Sequence, residues 1–65
     1  MFGDPDPILI FIRTYVEANA IPPTFREIAQ GCSLSLAATS YRIHSLVKEG
    51  QLALEPRQAR GVRLV

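Results

Sequence analysis

The sequence predicts a small α+β domain in which three helices precede a two-stranded antiparallel β-hairpin. Three observations support this fold class. Helix-capping residues precede three stretches with the apolar spacing of a helix, glycines or prolines follow those stretches, and the C-terminal residues alternate between apolar and polar. A chain of 65 residues has room for one domain, so we assign residues 1–65 to a single unit.

The first helix is predicted from Pro7 to Ala18. In the segment Asp4-Pro5-Asp6-Pro7, Asp6 is placed to accept hydrogen bonds from the first free backbone N–H groups. Pro7 suits the first helical position, where its missing N–H is not needed. Asn19 is a suitable left-handed stop. The apolar positions that share one helical face are Ile8, Leu9, Ile12, Tyr15 and Val16.

The second helix is predicted from Phe25 to Gln30. Thr24 and Glu27 have the spacing of a capping box, in which each side chain bonds a backbone N–H group at the helix start. Gly31 is expected to end this short helix, and a tight turn then leads to the third helix.

The third helix is predicted from Ser35 to Glu49, with Ser35 or Ser33 as its cap and Gly50 as its stop. Its periodicity separates a face around Ile43 from an opposite, exposed face. The residues grouped with Ile43 are Leu36, Thr39, Leu46 and Val47. The residues on or beside the exposed face are Ala37, Ala38, Ser40, Tyr41, His44, Ser45 and Lys48.

Two short strands are predicted after the third helix, at residues 51–54 and 61–65. Pro56 lies in the intervening turn because proline is excluded from central strands. Two helices joined by a tight turn, followed by a hairpin with a basic tip, form the layout of a winged helix-turn-helix domain.

The charge distribution favours a phosphate-binding C-terminal half. The net charge is only +1, but residues 1–34 sum to −2 and residues 35–65 to +3. An ordinary solvated surface is the alternative explanation. The single cysteine, Cys32, fits a reducing cytoplasmic setting, and the sequence indicates neither a secretory signal nor a membrane span.

The exposed face of the third helix is the candidate base-contacting surface. Hydroxyls, cationic side chains and small apolar groups all contact base edges in the major groove. A plain solvent-exposed face is the alternative. The candidates on this helix are Ser35, Ala37, Ala38, Ser40, Tyr41, His44 and Lys48.

Phosphate contacts are predicted from two neighbouring places. Arg57, Gln58 and Arg60 lie at the hairpin tip, where arginine reaches phosphates or the minor groove. Thr24 and Arg26 open the second helix, and a helix N-terminus attracts phosphate. A solubilising loop and a simple cap are the respective alternatives.

Four segments give the chain a family resemblance: Ile21-Pro22-Pro23-Thr24, Glu27-Ile28-Ala29, Leu46-Val47-Lys48-Glu49-Gly50 and Arg60-Gly61-Val62-Arg63-Leu64. In order and spacing they resemble the N-terminal domain of LexA-type repressors over residues 8–65. The resemblance implies a winged helix-turn-helix fold and operator-type DNA recognition, with the third helix in the major groove.

The chain departs from the family pattern at the start of the third helix. An Asn position of the pattern matches Ala37, and two Glu positions match Ser40 and Tyr41, so the family's operator is not carried over. The family's self-cleaving protease half, with its Ser/Lys dyad, is not expected in these residues. The one lysine, Lys48, belongs to the third helix.

A partner surface is the other expectation from the sequence. Ile10 and Phe11 fall away from the buried face of the first helix, and Met1 and Phe2 are apolar neighbours. Clustered exposed apolar residues suggest a homodimer or docking to a larger protein. The alternative is a continuous apolar run with one exposed isoleucine.

These observations predict sequence-preferring binding of double-stranded DNA by a transcriptional regulator or repressor. The rival prediction is a winged-helix docking module that binds protein and no DNA, since fold alone does not fix function. One histidine and one cysteine are too few for a metal site, and no catalytic constellation is evident. We therefore expect no enzyme activity, no metal and no cofactor.

Overall fold

The computed structural model describes residues 6–65, which form helices α1 (Pro7–Asn19), α2 (Phe25–Gly31) and α3 (Leu36–Lys48), followed by strands β1 (Leu52–Leu54) and β2 (Val62–Leu64). This element order confirms the predicted α+β winged helix. The parts of the expectations that concern Met1, Phe2 and Asp4 lie outside the described residues.

Helix α1 begins as the sequence predicts and ends differently. The Asp6 carboxylate accepts a hydrogen bond from the Ile8 backbone N–H at 2.9 Å, and Pro7 occupies the first position. The predicted left-handed stop at Asn19 is wrong, because Ala20 takes that conformation with φ 62°. Asn19 stays helical, and its Nδ2 donates to the Tyr15 carbonyl at 3.0 Å.

The capping box of α2 is confirmed. The Thr24 hydroxyl accepts from the Glu27 N–H at 3.1 Å, and a Glu27 carboxylate oxygen accepts from the Thr24 N–H at 2.8 Å. Gly31 is the last helical residue rather than the residue after the helix. Ser33, in the turn to α3, has a φ of 57°. Of the two caps that the sequence offers for α3, Ser35 is the one that occupies the cap position.

Helix α3 leads directly into the hairpin. Gly50, with φ 81°, adopts the left-handed conformation that glycine tolerates best and turns the chain toward β1. The antiparallel strands pair Leu52 with Leu64 and Leu54 with Val62. Each strand has three residues, so the hairpin is shorter than the sequence predicts.

Isoleucines dominate the core of the domain. One or two come from each helix, and one residue from each strand of the hairpin completes the cluster. Its buried members are Ile8, Ile12, Ile28, Ile43, Leu46, Leu52 and Val62. Thr39 is also buried, as its place beside Ile43 predicts.

Three apolar residues lie elsewhere than predicted. Leu36, in the first turn of α3, is 46% exposed, and Val16, near the end of α1, is 37% exposed. Phe11 is partly buried against the core, where its ring fills the space that a side chain at Gly31 would take. Phe11 also pairs with Tyr15, with ring centroids 5.8 Å apart.

Candidate nucleic-acid interface

The outer side of α3 is open to solvent. Ser35 caps the helix by accepting a hydrogen bond from the Ala38 N–H at 3.0 Å. Tyr41 has 74% of its surface exposed. The predicted base-contacting residues are exposed except Ser40, which is half-buried. No described part of the chain covers this surface, so it is free to contact a partner.

His44 occupies the flank of α3 that faces α2. Its ring meets the Phe25 ring edge-on, with centroids 6.4 Å apart. Its Nδ1 lies 2.8 Å from the Ser40 carbonyl oxygen, which only accepts hydrogen bonds. Nδ1 therefore carries the proton in the neutral ring, and Nε2 is left as an acceptor.

Arg42 lies on the opposite flank of α3 and is paired within the chain. Its guanidinium donates to the Asp6 carboxylate at the start of α1. This hydrogen bond and the Asp6 charge raise the pKa of Arg42 above its usual value. Arg42 thus ties α3 to α1, an ion pair that the sequence does not reveal.

The hairpin between β1 and β2 places its predicted DNA-contacting residues in two different environments. Arg57, with φ 68°, and Gln58 are exposed at the tip. Arg60 is half-buried and points back into the molecule. The prediction of Arg60 as a free phosphate-contacting residue is therefore corrected, because its guanidinium is bonded within the chain.

Arg60 makes four hydrogen bonds to three parts of the chain. Its Nη1 donates to Glu27 Oε1 at 2.8 Å and its Nη2 donates to Glu27 Oε2 at 3.0 Å. Nη1 also lies 3.0 Å from the Pro22 carbonyl and 3.3 Å from the Tyr15 hydroxyl. We call Arg60 and these three partners the Arg60 clamp. It joins the hairpin to α1, α2 and the loop between them.

The charge state of Glu27 follows from this arrangement. The hydrogen bonds from Arg60, and next that from the Thr24 N–H, lower the pKa of Glu27 to about 2, although burial acts in the opposite direction. Glu27 is therefore ionised at neutral pH while serving both the capping box and the hairpin. The same contact raises the pKa of Arg60.

A groove of about 340 Å³ lies where α2, α3 and the hairpin tip meet. The start of α2, the start of α3 and the hairpin tip therefore share one side of the molecule. The residues that line the groove are Thr24, Phe25, Arg26, Leu36, Gln58 and Ala59.

The described part of the chain offers little support for a metal site, a reactive cysteine or a membrane span. Residues 6–65 contain no group of three metal-ligating side chains close enough to hold an ion. Burial, followed by the charge of Asp6, raises the pKa of the Cys32 thiol, which disfavours the reactive thiolate. No described helix is long and apolar enough to span a membrane.

Comparison with known proteins gives consistent matches. The family model described as the LexA DNA binding domain matches residues 6–61. A LexA repressor of Carboxydothermus hydrogenoformans is 39% identical over 59 residues, which are 89% of this chain and 29% of that protein. A LexA repressor of Dechloromonas aromatica is 41% identical over 59 residues, with the same two coverages. The chain thus spans less than a third of the length of these relatives.

Proposed function

The chain belongs to the family of LexA DNA-binding domains, and we propose that it binds double-stranded DNA with α3 in the major groove and the hairpin on the adjacent backbone. The observation behind this arrangement is the shared groove of α2, α3 and the hairpin tip. A duplex lying across that side meets the exposed face of α3 and the tip together.

The roles of individual residues follow from their positions. Arg57 and Gln58 at the tip, and Arg26 at the start of α2, are exposed and suited to phosphates. Lys48 at the end of α3 is suited to a further phosphate. Thr24 already caps α2, and a phosphate contact is compatible with that role. Ser35 has the same dual role at the start of α3.

Base recognition is assigned to the first and middle turns of α3. Ala37 and Ala38 permit close approach and contact thymine methyl groups, while Ser40 and Tyr41 offer hydroxyls. Nε2 of His44 accepts a hydrogen bond from the amino group of adenine or cytosine. Because Arg42 is paired with Asp6, α3 lacks a free arginine for guanine, the partner that arginine most often contacts.

We also propose that the protein regulates transcription as a repressor. The curated relatives carry the name LexA repressor, and occupancy of DNA by this domain is the step that such a role requires. Selection of bound duplexes from a random pool tests sequence preference. A pool that shows no enrichment after repeated selection would contradict it.

The salt dependence of binding tests DNA recognition itself. A labelled mixed-sequence duplex is titrated with protein at several salt concentrations, using the parent chain and Arg57→Gln. The parent is expected to give a negative log–log slope, and the variant a slope shallower by about 0.9 for one lost phosphate contact. Arg13→Gln on the outside of α1 removes the same charge and serves as the control. A flat parent response would instead favour the protein-docking module.

Self-association is proposed through α1. Ile10 is 51% exposed, whereas Phe11 packs against the core. Of these two residues, only Ile10 is therefore available to form the surface. A second copy or a larger protein partner would cover it. Sedimentation of the parent and Ile10→Glu over a concentration series checks this. The parent is expected to gain mass with concentration and the variant to remain a monomer, and identical masses throughout would contradict the proposal.

A further inference from the structure

We propose that Glu27 is a positioning residue for DNA binding, acting through Arg60 to hold the hairpin tip where Arg57 meets the DNA backbone. The inference rests on the proposed function and adds to it. Glu27 is negatively charged and lies near the side predicted to face DNA. Charge repulsion alone therefore predicts that Glu27 weakens DNA binding, whereas the positioning role predicts that it strengthens binding.

The first support is the geometry of the Arg60 clamp. The Glu27–Arg60 contact is bidentate, with both carboxylate oxygens used, and a planar guanidinium in this arrangement fixes direction as well as distance. Arg60 lies three residues after Arg57 and two before β2. Fixing Arg60 therefore fixes the end of the turn that carries the tip.

The second support is how little else attaches the turn of the hairpin to the helices. The two strands have three residues each, and a two-stranded hairpin of that size is marginal without further contacts. Leu52 and Val62, at opposite ends of the paired strands, are buried in the core, and the turn extends beyond these anchors. Within the described residues, the tip residues Pro56, Arg57, Gln58 and Ala59 are all exposed.

The third support is that Glu27 belongs to the DNA-facing helix pair. Its carboxylate accepts from the Thr24 N–H and so is rigidly placed at the start of α2. The Glu27 carboxylate therefore fixes the position of the hairpin relative to the start of α2, which borders the shared groove. Rotation of the hairpin relative to α2 requires breaking this contact.

The experiment measures duplex affinity and its salt slope for the parent and Glu27→Gln, under conditions where circular dichroism shows every variant to be folded. The substituted glutamine keeps the size of the side chain and its capping oxygen but loses the charge. We expect weaker binding and a slope shallower by about 0.9, as though the Arg57 contact were lost. Glu17→Gln on the exposed side of α1 is the charge-matched control and should not weaken binding.

A double-mutant cycle supplies the readout that a merely structural role would not change. If Glu27 acts through the tip, Arg57→Gln weakens binding in the parent but has little further effect in Glu27→Gln. Fully additive effects would overturn the inference. Tighter binding by Glu27→Gln would also overturn it, because that result means that release of Arg60 creates a new phosphate contact.

Arg60→Lys distinguishes the two possible roles of Arg60, which are to position the hairpin tip or to contact phosphate directly. Lysine keeps the charge but not the bidentate contact, so the positioning role predicts the same loss as in Glu27→Gln. An unchanged slope and affinity would overturn it. Failure of the parent to bind any duplex would instead refute the proposed function, so the two failures are distinguishable.

Discussion

The helical part of this domain and its hairpin are held by different forces. Ile12, Ile28 and Ile43, one from each helix, are completely buried, so apolar burial joins the helices. The hairpin shares that core through one residue of each strand, Leu52 and Val62, and its turn is attached by the hydrogen bonds of the Arg60 clamp. The helices should therefore respond mainly to changes in volume, and the hairpin turn to changes in charge.

The largest effect should come from the centre of the core. Ile43→Ala removes a fully buried side chain, and such substitutions cost about 2–5 kcal/mol in the free energy of unfolding. A domain of this size has roughly 3–10 kcal/mol in total, so we expect substantial unfolding at room temperature. Urea denaturation followed by circular dichroism measures this loss.

Ile21→Ala is the matched control for Ile43→Ala. Ile21 is 45% exposed in the loop after α1, so the same change should cost less than about 1 kcal/mol. Equal losses for the two variants would show that the isoleucine core is not the principal source of stability.

Acid should selectively weaken the attachment of the hairpin. The folded-state pKa of Glu27, about 2, lies below its ordinary value of 4.5. Its contribution to stability is therefore complete above about pH 4.5 and is lost as the pH falls through about 2. The melting temperatures of the parent and Glu27→Gln should differ at neutral pH and converge below pH 4.5.

The difference between those two proteins isolates Glu27, because the Asp6–Arg42 and Glu55–Arg63 pairs are present in both. A constant difference from pH 7 to pH 2 would mean that the Glu27 carboxylate does not interact with Arg60 in solution. Convergence already near neutral pH would contradict the lowered pKa.

Local features of the fold could be predicted from the sequence, because the physical cause lies within a few residues. Asp6, Thr24 and Ser35 each bond a backbone N–H two or three residues further on. The exposed face of α3 follows from its periodicity for the same reason. The position of Gly50 as a left-handed stop is likewise local.

Features that depend on tertiary packing could not be predicted. Leu36 shares the angular position of the core residues of α3 but is 46% exposed, because angular position does not show which turns of a helix its neighbours cover. The Glu27–Arg60 contact joins residues 33 positions apart. Two of the four segments behind the family resemblance each contain one of these partners, but a single sequence gives no reason to pair them.

The smallest predicted effect concerns Thr39, the one buried polar residue among those that the structure describes. Thr39 is completely buried, and within residues 6–65 its hydroxyl oxygen has no hydrogen-bond partner. A buried hydroxyl without a partner is unfavourable, so Thr39→Val should raise the free energy of unfolding by about 1 kcal/mol. In a domain of this size, that corresponds to an increase in melting temperature of about 4–8 °C.

Thr14→Val on the exposed side of α1 is the control for this substitution and should change the melting temperature little, since both residues are β-branched and helical. Duplex affinity should stay the same in Thr39→Val, because the side chain faces the core and not the candidate interface. A loss of stability instead would mean that the hydroxyl is bonded in solution, most simply to a carbonyl of the preceding helical turn. In that case polar contacts would hold part of the helical core as well as the hairpin.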